Sequence, residues 1–94
     1  YWAQVGGADP VQVVGDLGSR ARLLHMKDGP ADRAKSPMTA AGAGVVDLVG
    51  IATAAKHAAW HIVELDRCET DMFEAVESSY RYLVGEGISQ GRRP

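Results

Sequence analysis

Two short runs in this sequence end in residues able to do acid–base chemistry. The first is Arg22-Leu-Leu-His-Met-Lys-Asp28, which delivers His25, Lys27 and Asp28 before breaking at Gly29-Pro30. The second is Trp60-His-Ile-Val-Glu-Leu-Asp66, which ends on Glu64 and Asp66. An apolar strand that carries polar residues at its C-terminal end is how a parallel α/β enzyme builds a site. Each residue also has a purely structural reading. His25 suits a core histidine, Glu64 an ion-pair partner, and Lys27 a pair with Asp28. Asp28 suits either orienting His25 or Lys27 or, the reading we favour, capping the turn at Gly29.

Positioning those residues requires strands with sorted faces. Over Ala21 to Lys27, period-2 alternation puts Leu23, His25 and Lys27 on one face and Leu24 and Met26 on the other. Leucines on both faces predict a strand covered on both sides, as in a parallel sheet. Trp60 to Leu65 reads as a further strand, with Ile62 and Glu64 on one face and His61, Val63 and Leu65 on the other. Asp66 falls on the Glu64 face, just past the strand. Tyr1 to Val5, short and aromatic, reads as a strand end, and Gly6-Gly7 as a turn.

Helices are expected between and after these strands. Asp9-Pro10 starts one, because Asp caps free amides and Pro at the first position loses no hydrogen bond. Val11, Val14 and Leu17 follow at helical spacing, and Gly18 stops it. Asp47 caps a second helix over about Leu48 to Ala58, with Leu48, Ile51, Ala52 and Ala55 as its apolar stripe. Thr70-Asp71 opens the last helix, where Met72, Phe73, Val76, Tyr80 and Leu83 predict a core-facing stripe. Gly85 and Gly87 stop it, and Ile88 to Pro94 reads as a frayed tail. Gly29 to Gly44 is a loop longer than an ordinary connector, a length that goes with function or mobility. Strand alternating with helix implies parallel pairing through right-handed crossovers.

Composition excludes several classes. The 94 residues allow one small domain, with 46% apolar and 23% charged residues and a net charge of -2. Arg92-Arg93 is the only cationic cluster and reads as a solvated terminus, so no nucleic-acid partner is expected. Apolar runs fall far short of the ~20 residues of a membrane span, and the N-terminus has no signal-peptide pattern. A single cysteine, Cys68, allows no internal disulfide and points to a reducing, cytoplasmic setting. Two and a half strand–helix units cannot close a sheet. The expectation is therefore an α/β chain spanning 1–94 as a partial domain. It would be the C-terminal part of a (β/α)8 TIM barrel, whose whole fold takes ~250 residues, with parallel strands and helices packed outside.

Taken together, Tyr1-Trp2, Gly7-Ala-Asp-Pro10, Leu24-His-Met-Lys-Asp28, Gly42-Ala-Gly-Val-Val-Asp47 and Ile62-Val-Glu-Leu-Asp66 resemble the C-terminal part of the xylose-isomerase-like barrels. The nearest group is the sugar phosphate isomerase/epimerase family, with its inosose dehydratases and ketose 3-epimerases. The resemblance covers nearly all of the chain. It implies a divalent ion at the barrel mouth, held by Glu, Asp, His and Glu from four successive strands. His25 and Glu64 match the last two ligands, and the first two would precede Tyr1. Ala43 departs from the family, which often has an acidic residue there.

The implied activity is proton transfer next to a carbonyl through a metal-stabilised enediolate. Glu64 would serve as ligand and acid–base group, and Lys27 and Trp2 would bind substrate. Asp28 and Asp66 would support them from behind. Mn, Co or Mg is the expected metal, with Zn or Fe allowed. The partner would be a sugar or inosose, with a homo-oligomer possible and no activity expected from the chain alone. His57 and His61 read as structural, and Trp60 as core or pocket wall. The weaker readings are a noncatalytic barrel relative, or truncated product, used for binding or oligomerisation, and a zinc-dependent apurinic-site endonuclease. The near-neutral charge and single inward histidine disfavour the endonuclease.

Overall fold

The computed structural model describes residues 1–92. Arg93 and Pro94, and with them part of the expected Arg92-Arg93 pair and tail, lie outside the described residues. Strands β1 (Leu23–Met26) and β2 (Trp60–Val63) pair in parallel. Leu23 lies opposite Trp60, Leu24 opposite His61, His25 opposite Ile62 and Met26 opposite Val63. Four helices accompany them among the described residues: α1 (Trp2–Val5), α2 (Pro10–Leu17), α3 (Leu48–Ala54) and α4 (Met72–Gly85), with a 3-10 turn over Gly18–Arg20. The fold is thus α/β with a parallel sheet of two strands, both shorter than the alternation suggested. None of the helices is long and apolar enough to cross a membrane.

The caps form where the side chains allow. Asp9 Oδ1 accepts from the amides of Val11 and Gln12, with Pro10 at the first helical position. Asp47 accepts from Gly50 N, and Asp71 from Phe73 N and Glu74 N. Each satisfies amides that the first helical turn leaves open. α3 ends at Ala54 rather than Ala58. Ala58 N closes a tight turn onto Ala55 O, and Ala59 N donates to Arg22 O at 2.8 Å. The chain has to leave the helix there to enter β2.

Other expectations need correction. Tyr1 to Val5 is not a strand end. Val5 N donates to Tyr1 O and Gly6 N to Trp2 O, both at 3.0 Å, so the segment closes its own helical turn. Of the predicted stripe α4 buries Leu83 alone. Its buried side chains are Ala75, Ser79 and Leu83, whereas Phe73 is 85% exposed and Met72, Val76 and Tyr80 face outward. Ser79 Oγ donates to Ala75 O at 2.7 Å and accepts from Ala41 N at 2.9 Å. Small side chains let the helix approach that loop closely, which a row of Phe and Tyr could not do.

The sheet is covered on one face only, again unlike the expectation. Leu24 and Met26 are buried with Val46, Leu48, Ile51, Ala55 and Leu83 beneath the helices. On the other face Leu23 is 59% and Trp60 68% exposed, with His25 and Ile62 beside them. Helices α2, α3 and α4 contribute Val11, Val14, Leu48, Ile51, Tyr82 and Leu83 to the Leu24–Met26 side.

The long loop is pinned by one side chain. The carboxylate of Asp28 is fully buried and accepts four backbone N–H groups. Oδ1 takes Gly29 N at 2.8 Å and Val46 N at 3.1 Å, and Oδ2 takes Gly42 N at 2.9 Å and Gly44 N at 3.1 Å. Thr39 N donates to Asp28 O at 3.1 Å. The loop leaves β1, circles, and returns to the same carboxylate before α3 begins.

A candidate site at the strand ends

Continuing the ladder one step past Met26 and Val63 sets Lys27 beside Glu64, on the face that carries His25 and Ile62. Glu64 sits between the other two: its Oε2 lies 3.0 Å from His25 Nδ1 and its Oε1 3.0 Å from Lys27 Nζ. Lys27 Nζ also donates to Asp66 Oδ2 at 2.8 Å. The ammonium stands 5.3 Å from the centroid of the Trp2 ring, a cation–π distance, and Trp2 meets Tyr1 edge to face.

Lys27 is 4% exposed. Burial works against its charge, but hydrogen bonds to Asp66 and Glu64 outweigh burial and hold its pKa above the ordinary lysine value. It is a fixed cation at neutral pH. The carboxylates and the imidazole are more open, with His25 and Glu64 reaching solvent on the uncovered face.

The structure brings His25, Lys27, Glu64, Asp66 and Trp2 together. It does not bring Asp28 among them. Asp28 faces the loop amides rather than His25 or Lys27, so its support of the site runs through the backbone. The pairing of Lys27 with Asp28, one of the readings of the sequence, is replaced by pairing with Glu64 and Asp66. The bond from Lys27 to Asp66 escaped the sequence reading. The shared face of Lys27, Glu64 and Asp66 was its available signal.

The donor set fits a divalent ion only in part. His25 and Glu64 offer an imidazole nitrogen and a carboxylate oxygen side by side, the mixed donors such ions accept. Lys27 engages both Glu64 and Asp66, and no group of three His, Cys, Asp or Glu placed to hold an ion occurs among the described residues. His25 and Glu64 are two donors, and further donors would have to join them for an ion to be held.

The remaining candidates lie elsewhere. His57 is exposed in the turn after α3. Cys68 Sγ sits 3.1 Å from Thr70 Oγ1. His61 points to the helix side of β2, as its alternation predicts, and its Nδ1 is 2.7 Å from Ser89 Oγ.

Burial lowers the His61 pKa from 6.5. As pH falls below that value the unfolded chain takes up the proton first, so stability should decline. The slope is at most about 1.4 kcal/mol per pH unit. Urea midpoints at about pH 7.5 and 5.5 should therefore differ more in the wild type than in His61→Gln. Equal differences would remove His61 as the cause.

Comparison of the chain with protein-family models, with curated proteins and with solved structures gives no match.

Proposed function

We propose that this site belongs to a metal-dependent isomerase, epimerase or dehydratase acting on a sugar or inosose-like polyol. In this reading the 94 residues supply about two and a half βα units of a (β/α)8 barrel, and the other strands lie outside them. The observation that carries the reading is the convergence of His25 and Glu64, 3.0 Å apart, where two neighbouring parallel strands end. The bare apolar sheet face of Leu23, Trp60 and Ile62 supports it, since the interior of a barrel is filled by such side chains from its other strands.

His25 and Glu64 would hold the ion, Mn, Co or Mg before Zn or Fe, with its other donors supplied from outside this segment. When bound, the ion would polarise adjacent substrate oxygens and make the neighbouring carbon a stronger acid. Glu64 takes the proton from that carbon and returns it. Lys27 and His25 each hold one of its oxygens, so the carboxylate keeps one orientation as it does so. Lys27 also presents its charge to a substrate oxygen, steadied by Asp66 below and Trp2 beside it. Trp2 walls the pocket.

Manganese titrated calorimetrically into the 94-residue chain should bind weakly, and Glu64→Gln should remove that binding. Tight 1:1 binding would contradict a shared donor set. In the enzyme that contains this segment, assayed against ketoses and inososes with Mn2+ or Co2+, Glu64→Gln should cost about 10²- to 10⁴-fold in turnover. Turnover unchanged by that substitution would defeat the proposal.

A further inference from the structure

A cavity of about 860 Å³ opens on the other side of β2, away from the strand-end site. It falls within the range of about 300–1,000 Å³ that suits a small ligand. Its walls are apolar: Val63 from β2, Tyr80 and Leu83 from α4, and Ile88 from the segment that follows. Polar side chains interrupt them, Gln90 near the edge among them. One feature is the hydrogen-bonded pair of His61 and Ser89. Another is Arg92, an exposed side chain at the edge with no ion pair among the described residues. Among the described residues no aspartate or glutamate lines the space.

Those facts restrict the occupant. Apolar walls favour a hydrocarbon body. A guanidinium with no carboxylate partner among the described residues favours an anion, and a planar carboxylate matches its fork of donors. Burial keeps His61 on the neutral side, so it adds no second cation. Ser89 Oγ can rotate to donate while His61 stays its partner. We propose that this cavity binds an aliphatic monocarboxylate, with its chain against Val63 and Leu83 and its head group between Arg92 and Ser89. This site is independent of the proposed isomerase chemistry, which stands or falls on other residues.

The test is calorimetric titration of the 94-residue chain with hexanoate, octanoate and decanoate, each below its micelle concentration. Binding should be 1:1, and Kd should fall by up to about fourfold per added methylene, the factor that burial of one CH2 supplies. Octanoate should bind more tightly than octanol. Arg92→Gln should erase that preference and keep the chain-length dependence; because Arg92 is exposed, the fold should survive the change. Amide shifts on binding should concentrate at His61, Val63, Leu83 and Ser89. Affinity independent of chain length, equal binding of octanol by the wild type, or shifts centred elsewhere would each overturn the proposal. So would a dimer in sedimentation that octanoate fails to dissociate, since a second copy would then be what covers the cavity.

Discussion

Asp28→Ala should cost about 3–5 kcal/mol of folding stability, a large part of the 5–15 kcal/mol such a domain commands. The reason is the number of donors that share this one carboxylate. Four amides, those of Gly29, Gly42, Gly44 and Val46, point at its two oxygens. Two of the four bonds are buried, so water cannot simply replace the lost acceptor there. A buried donor left without a partner costs roughly 1–3 kcal/mol. The two part-buried amides recover some hydration, which keeps the total below four full penalties.

Asp28→Asn separates charge and acceptor count from size. Asparagine fills the same space, but one oxygen becomes an NH2 group. Whichever way it turns, a donor then faces two backbone donors. Its cost should be at least half that of the alanine variant. Urea midpoints of the three proteins would decide it: an asparagine variant as stable as wild type would mean that the four amides do not depend on the carboxylate. The loop would also loosen, so hydrogen exchange at Gly42, Gly44 and Val46 should speed up well before exchange at Met26 does.

This clamp marks where sequence reasoning stopped. The sorting of His25 and Lys27 away from Leu24 and Met26 follows from period-2 geometry alone, and the structure keeps it. The caps at Asp9, Asp47 and Asp71 are equally local, each side chain serving amides two or three residues on. Asp28 is different. Apart from Gly29, its partners lie 14 to 18 residues away, and only the closed loop brings them back. A local rule recognises the turn at Gly29 and nothing further.

The burial of α4 was hidden for a related reason. Apolar periodicity identifies a stripe, and Met72, Phe73, Val76 and Tyr80 make one. Which face turns inward depends on how closely the helix approaches its neighbour. Here Ser79 bonds to Ala41 N, and only a surface of Ala and Ser admits that approach. Tyr1 to Val5 failed because aromatic, apolar residues favour a strand only when a neighbouring strand exists to pair with. At the strand ends, residue types and order were readable from the chain. The shared face of Lys27, Glu64 and Asp66 hinted at the hold of Lys27 on two carboxylates, but fixing it takes the register between β1 and β2.

The glycines of the same loop give the second large effect. Gly44→Ala should destabilise the protein by about 1–3 kcal/mol, the typical cost of forcing a carbon into a packed site. A β-carbon at Gly44 would overlap Asp28 Oδ1 and the backbone of Gly29. Its φ is not in the left-handed region, so the objection is space rather than strain. Gly42 differs: it has φ +90°, and its β-carbon would stand 2.5 Å from the Tyr82 ring, a side chain able to shift.

Gly29's backbone has no such freedom, because its amide is held by Asp28 and its carbonyl by Val45 N. A double-mutant cycle links the two predictions. Asp28→Ala removes one of the atoms that the methyl group added by Gly44→Ala would strike. The double variant should therefore be more stable than the summed single losses imply, by about 0.5–2 kcal/mol. Simple additivity would mean that the collision with Gly29 alone sets the cost. Lys27 directly precedes Asp28, so the same displacement should reach the strand-end site. Amide shifts of His25 and Glu64 in Gly44→Ala would register it, and a loop that merely loosened at its far end would leave both unmoved.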